Sequence, residues 1–207
     1  MFLSTQDVMS SFSSTFLSES RAILERLDMD ALESLARGLA AVRNSGGRLF
    51  ILGVGGSAGN ASHAANDFRK LCRFEAYAPT DNASELTARI NDEGWDTCFA
   101  EWLCGSRLGP RDAVLVLSVG GGSREKNVSV NIVRALEFAS GRGAAIFGIV
   151  GRDGGFTRQV AQVCAVIPPL SPDRITPHTE GICSVLLHLL VSHPALQSAT
   201  AKWESVK

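Results

Sequence analysis

Leu49-Phe50-Ile51-Leu52-Gly53-Val54-Gly55-Gly56-Ser57-Ala58-Gly59-Asn60 joins a run of apolar residues to a glycine-rich turn. The apolar run predicts a buried strand, and the residues after the turn predict a helix carrying His63 and Asp67. Glycines in such a turn let backbone N–H groups face an anion, and the positive end of a helix starting near Ser57 adds to the attraction. Gly55, Gly56 and the Ser57 hydroxyl are therefore candidate phosphate-binding groups. The same residues also read as a βα turn that needs glycine only to reverse direction.

On either side of this unit, strand and helix alternate. Strands are predicted at Leu49–Val54, Ala76–Ala78, Ala113–Val119, Ala144–Val150 and Val163–Ile167, mostly as continuous apolar runs that suit a sheet covered on both faces. Helices are predicted at 57–71, 84–90, 96–103, 126–140 and 156–161, with a last, strongly apolar one at 176–192. The order is that of a doubly wound α/β fold with a parallel sheet. Ahead of it, Phe12–Val42 carries Phe16, Ile23, Leu24, Leu27, Leu32, Leu35 and Leu39 at helical spacing.

Composition narrows the function. The 207 residues, 45% hydrophobic and 20% charged, describe one globular domain with ample core material. A net charge of −1 offers no basic face to a nucleic acid, and no apolar run approaches the roughly 20 residues of a membrane span. Met1–Ser20 lacks the basic and apolar regions of a signal peptide, which predicts a cytoplasmic protein. The five cysteines are odd in number, lack CxxC spacing and are read as reduced.

Ligands in open α/β sheets bind beyond the carboxyl ends of the strands, and a second glycine loop, Ser118-Val119-Gly120-Gly121-Gly122-Ser123, falls at that edge. Ser118 and Ser123 are hydroxyl donors, Gly120 and Gly121 supply amides, and Arg124 and Lys126 supply charge. Two cradles at one edge predict a phosphorylated small molecule. A dinucleotide fits less well, since GxGxxG spacing is missing and no acidic residue closes the second strand.

His63 and Asp67 are four apart on one helix, and Glu180 and His188 are eight apart on another, so each pair shares a face. Two imidazoles and two carboxylates make a plausible divalent-metal set. From spacing alone, His188 also reads as a core histidine and His63 with Asp67 as a solvated pair. His178 is a rival ligand, and His193 reads as a helix-end residue.

Several of these elements together, Gly55-Gly56-Ser57 with His63 six residues on, Thr87-Ala88 before Asn91-Asp92, the Ser118 loop, and Gly151-Arg152-Asp153-Gly154-Gly155, resemble the sugar isomerase (SIS) superfamily. Within it the chain is similar to the phosphoheptose isomerases, over about residues 20–192. The resemblance implies a five-stranded, flavodoxin-like parallel sheet in a single SIS domain, with residues 1–45 as oligomerisation helices and 46–195 as the α/β core. It further implies a homotetramer with sites between subunits, and zinc held at the positions of His63, Asp67, Glu180 and His188.

At those positions the family carries Glu and Gln where this chain has Asp67 and Glu180. Its second loop also has more hydroxyl donors, and its first-loop asparagine is Val54 here. The implied reaction is aldose–ketose isomerisation through an enediol, of sedoheptulose 7-phosphate to D-glycero-D-manno-heptose 7-phosphate. Asp67 and His188 would serve as proton-transfer groups on opposite sides of the sugar, and the metal would stabilise the enediolate. The competing class is a non-catalytic SIS module that senses a sugar phosphate or acts as a scaffold.

Overall fold

The computed structural model describes residues 5–206. Residues 1–4 of the segment read as lacking a leader lie outside them. The helical pattern at Phe12–Val42 belongs to two helices, α1 (Thr5–Leu24) and α2 (Met29–Asn44). The break falls at Asp28, whose extended backbone and carboxylate, accepting from Ala31 N at 3.0 Å, cap the first turn of α2. Leu27 keeps the apolar period across the break, which hides it from a periodicity reading.

The strands β1 (Leu49–Leu52), β2 (Ala76–Tyr77), β3 (Ala113–Ser118), β4 (Ala145–Val150) and β5 (Val163–Val166) form one sheet in the order β2-β1-β3-β4-β5. Every pairing is parallel, with Leu49 opposite both Ala76 and Ala113, Ala113 opposite Ala145, and Phe147 opposite Val163. The connecting helices are α3 (Gly56–Cys72), α4 (Ala83–Glu93), α5 (Cys98–Gly105), α6 (Val130–Gly141), α7 (Gly155–Val160) and α8 (Ile175–Ser192), and a short α9 (Lys202–Ser205) follows.

Alternation along the strands divides the core into two layers. Leu49, Ile51, Leu115, Leu117 and Ile149 pack with α2, α3 and α8 on one face. Phe50, Leu52, Val114, Val116 and Ile146 pack with α5 and α6 on the other. Covering both faces explains why no strand carries a charged residue. No helix among the described residues is long and apolar enough to cross a membrane.

Helix α6 begins at Val130 and not at Lys126. Asn127 and Ser129 adopt left-handed backbone, with φ of 50° and 49°, and Ser123 pairs with Val128 in an antiparallel bridge. The segment 123–128 is thus a tight loop beside the sheet edge. None of the five cysteines is in a disulfide. Burial pushes the Cys72 and Cys164 thiols up to about 11 and Cys183 to about 12, which keeps them protonated and unreactive.

Candidate functional site

The strand order reverses between β1 and β3, and there a cleft of about 670 Å3 opens beyond their carboxyl ends. Gly55 turns the chain from β1 into α3 with φ 62° and ψ −128°, a conformation that side chains disfavour. Ser57 follows in the first turn, 4% exposed, and its hydroxyl has no partner among the described residues. It lines the cleft, beside the helix N-terminus.

The second glycine loop forms the facing wall. Ser118 Oγ accepts from Gly121 N at 3.0 Å, and Ser123 Oγ accepts from Lys126 N at 3.2 Å. Both hydroxyls keep their own hydrogen for a ligand. Thr157 donates to Gly121 O through both its amide and its hydroxyl. A Cβ on Gly121 would stand 1.9 Å from Gly154 O, so this loop and the Gly151–Gly155 turn interlock only because both lack side chains there.

Ser57, Ser118, Gly120, Ser123, Arg124 and Lys126 all border the cleft. Gly55, Gly56 and Gly121, also expected as phosphate contacts, lie off its wall: Gly56 faces α8 and Gly121 faces Gly154. Arg124 is ion-paired with Glu137, and its guanidinium carbon sits 5.9 Å from the centre of the Phe156 ring. Its charge is thereby spent within the protein. Arg152, which the sequence reading assigned no role, lines the cleft without an ion pair and holds left-handed backbone at φ 53°. A non-glycine residue in that conformation inside a recognised turn was the available signal.

The second cluster lies farther along α3. Helices α3 and α8 pack side by side and run parallel, which brings His63 and Asp67 against His188. Asp67 Oδ2 is 3.2 Å from His63 Nε2 and 3.7 Å from His188 Nε2. The imidazole rings meet edge to face with centroids 5.1 Å apart. One donor atom from each residue lies within 4.8 Å of the others. Asn66 Nδ2 donates to Asp67 Oδ1 at 2.9 Å and steadies the carboxylate.

The side chains of His63 and His188 are 52% and 55% exposed, whereas that of Asp67 is 16% exposed. His188 is therefore not a core histidine. Asp67 and His188 are neighbours rather than groups on opposite sides of an open gap, because the two helices touch where they stand. Two imidazoles and a carboxylate with solvent access form an N/O donor set that fits zinc with an open coordination position.

Glu180 is not in this group. Eight residues of helix separate it from His188 by about 12 Å of rise, so a shared face does not become a shared point. Its carboxylate sits against Gly56 at the first turn of α3, and its carbonyl accepts from Asn60 Nδ2 at 3.0 Å. His178, the rival ligand, is buried and engaged elsewhere. Its Nε2 is 2.8 Å from Glu19 Oε2, and Phe16 stacks on its ring. His193 Nε2 lies 3.2 Å from Glu33, at the end of α8.

A family model described as the SIS domain matches residues 15–151, which sets the class of this fold. The lincomycin biosynthesis protein LmbN of Streptomyces lincolnensis is 35% identical over 187 residues, covering 86% of this chain and 64% of LmbN. The phosphoheptose isomerase of Chlorobaculum tepidum is 32% identical over 173 residues, covering 80% of this chain and 79% of that enzyme. The solved structure of the phosphoheptose isomerase GmhA from Neisseria gonorrhoeae shares the fold, with a TM-score of 0.76 at 23% identity over 88% of this chain and 97% of that one. The chain therefore belongs to the SIS-domain family and, within it, to the phosphoheptose isomerases. It spans less than two thirds of the length of LmbN.

Proposed function

We propose that the chain is a cytoplasmic phosphosugar aldose–ketose isomerase acting on sedoheptulose 7-phosphate to give D-glycero-D-manno-heptose 7-phosphate. One observation carries this reading. Helix α3 offers an unpartnered hydroxyl, Ser57, to the cleft at its first turn, and offers His63 and Asp67 to His188 about two turns farther on. Each copy's α3 thus supplies both functions, phosphate binding at its first turn and proton transfer farther along, and the chlorobial relative is a phosphoheptose isomerase.

In this reading the α3 N-terminus, Ser57, Ser118 and Ser123 hold the phosphate, and Lys126 and Arg152 supply its counter-charge. Asp67 Oδ2 takes the proton from the carbon beside the carbonyl and returns it to the neighbouring carbon. His188 moves the proton between the two sugar oxygens through the ring nitrogen that does not hold the metal. His63, Asp67 and His188 would hold a divalent metal, zinc in this reading, which would supply Lewis-acid stabilisation of the enediolate.

The cleft and the histidine cluster border separate cavities within one chain. Val185 and Leu189, on the same helix as His188, are 49% and 40% exposed. Both facts support a homotetramer in which one protomer's cleft faces another's cluster, with α1 and α2 in the contacts.

Elemental analysis of the purified protein, paired with isomerase assays over five- to seven-carbon sugar phosphates, tests the reading. Bound metal and turnover of a heptose phosphate are expected. Tight sugar-phosphate binding with no turnover of any substrate would identify a sensor instead.

A further inference from the structure

Beyond α8 the chain doubles back over the histidine cluster. Leu196 is fully buried, and Arg43 of α2 donates to Leu196 O, to Ala195 O at 3.1 Å and to Ser198 Oγ at 3.2 Å. The amides of Ser198 and Ala199 both donate to Leu71 O, at 2.8 and 3.0 Å. This staple fixes the direction in which the following residues leave α3. Gln197, Thr200, Ala201 and Glu204 then wall one side of a cavity of about 340 Å3, opposite His63, Asp67 and His188.

Glu204 is the only carboxylate in that cavity besides Asp67. It makes no hydrogen bond or ion pair among the described residues, and it lies outside the group whose donor atoms fall within 4.8 Å of one another. Two neutral imidazoles and one carboxylate leave a divalent cation with one uncompensated positive charge and one unfilled tetrahedral position. A second carboxylate in the same cavity answers both deficits. The place expected for Glu180 is thus open to a residue from a different element.

We propose that Glu204 is the closing ligand of the resting site: with a divalent cation on His63, Asp67 and His188, the segment 200–204 swings inward as a strap and Glu204 Oε takes the fourth position until a sugar oxygen displaces it. The staple at Arg43 and Leu71 is its fixed end. The short α9, in which Lys202 and Glu204 are exposed, is its moving end. The proposal rests on reading the cluster as a cation site, and the two can be tested apart.

Co2+ and Zn2+ are titrated into the apo full-length chain, with the visible Co2+ absorption recorded alongside the affinity. The native chain and a Glu125→Gln control are expected to bind one ion with the intense bands of a tetrahedral site. Glu204→Gln is expected to weaken binding by at least about tenfold and to shift those bands, and Asp67→Asn to abolish binding. Native binding with an unchanged affinity and spectrum in Glu204→Gln would overturn the strap and leave the cluster standing. Absence of binding by the native chain would overturn both.

Discussion

The Glu180 carboxylate occupies the space that a side chain at position 56 would need: a Cβ on Gly56 would stand 2.3 Å from Glu180 Oε2. The obstacle is the tip of a flexible side chain, which a rotamer change can remove. A Cβ on Gly53, by contrast, would meet the backbone at Ser57 O, at 2.3 Å, and Ala58 N, at 2.8 Å. Gly56→Ala is therefore expected to cost under about 1 kcal/mol, and Gly53→Ala about 2–3 kcal/mol, because only the second forces the βα turn to move. Urea unfolding of the two variants beside the native protein measures the difference.

The charges in the cleft are not equivalent. Arg124 is committed to Glu137, whereas Lys126 and Arg152 have no ion-pair partner among the described residues. Lys126→Ala and Arg152→Ala are each expected to weaken sugar-phosphate binding by about 1.5–3 kcal/mol, and Arg124→Ala by less than about 0.5 kcal/mol. Calorimetric titration with sedoheptulose 7-phosphate checks the ranking. Equal losses in all three variants would mean that the ion pair opens to the ligand.

Two histidines on α8 should separate cleanly. His188 is exposed beside Asp67, and His178 is buried beneath Phe16 and bonded to Glu19. His188→Ala is expected to lose isomerase activity and metal while leaving Tm within a degree or two. His178→Ala should lower stability by roughly 2–3 kcal/mol by emptying a buried position against Phe16. Thermal melts and metal content, measured on both, give the comparison.

Hydrogen bonds from Arg174, and next from His178, hold the Glu19 carboxyl at about 2, below its ordinary 4.5. A depressed acid stabilises the fold fully above its unfolded value and loses that contribution as pH falls through the folded one. The stability difference between native protein and Glu19→Gln should thus be level above about pH 5 and shrink between 4.5 and 2. Chemical unfolding at a series of pH values shows it. A constant difference across that interval would mean that the latch between α1 and α8 works without the charge.

The sheet was legible because its strands are uninterrupted apolar runs, and burial on two faces leaves no other place for Ala113–Ser118 or Ala145–Val150. The break between α1 and α2 was not, because Leu27 satisfies the helical period on both sides and only the cap at Asp28 marks the change. The late start of α6 was hidden for a related reason: Lys126 and Asn127 suit a helix locally, but the Ser123–Val128 bridge takes them. At the site, spacing located His63, Asp67 and His188 through their shared helical faces. It misplaced Glu180, since angular periodicity says nothing about distance along the axis. Nor could it see that Glu137 occupies Arg124, a contact made only once α6 folds against the loop.

The donors His63 and Asp67 lie on α3, and His188 lies near the end of α8, with most of the sheet translated in between. A nascent chain on the ribosome therefore carries no more than the His63–Asp67 pair of this group until α8 emerges. A cation held by all three residues would therefore have to wait until α8 is made. A product stalled before α8, however well its first strands collapse, lacks the third of these side chains.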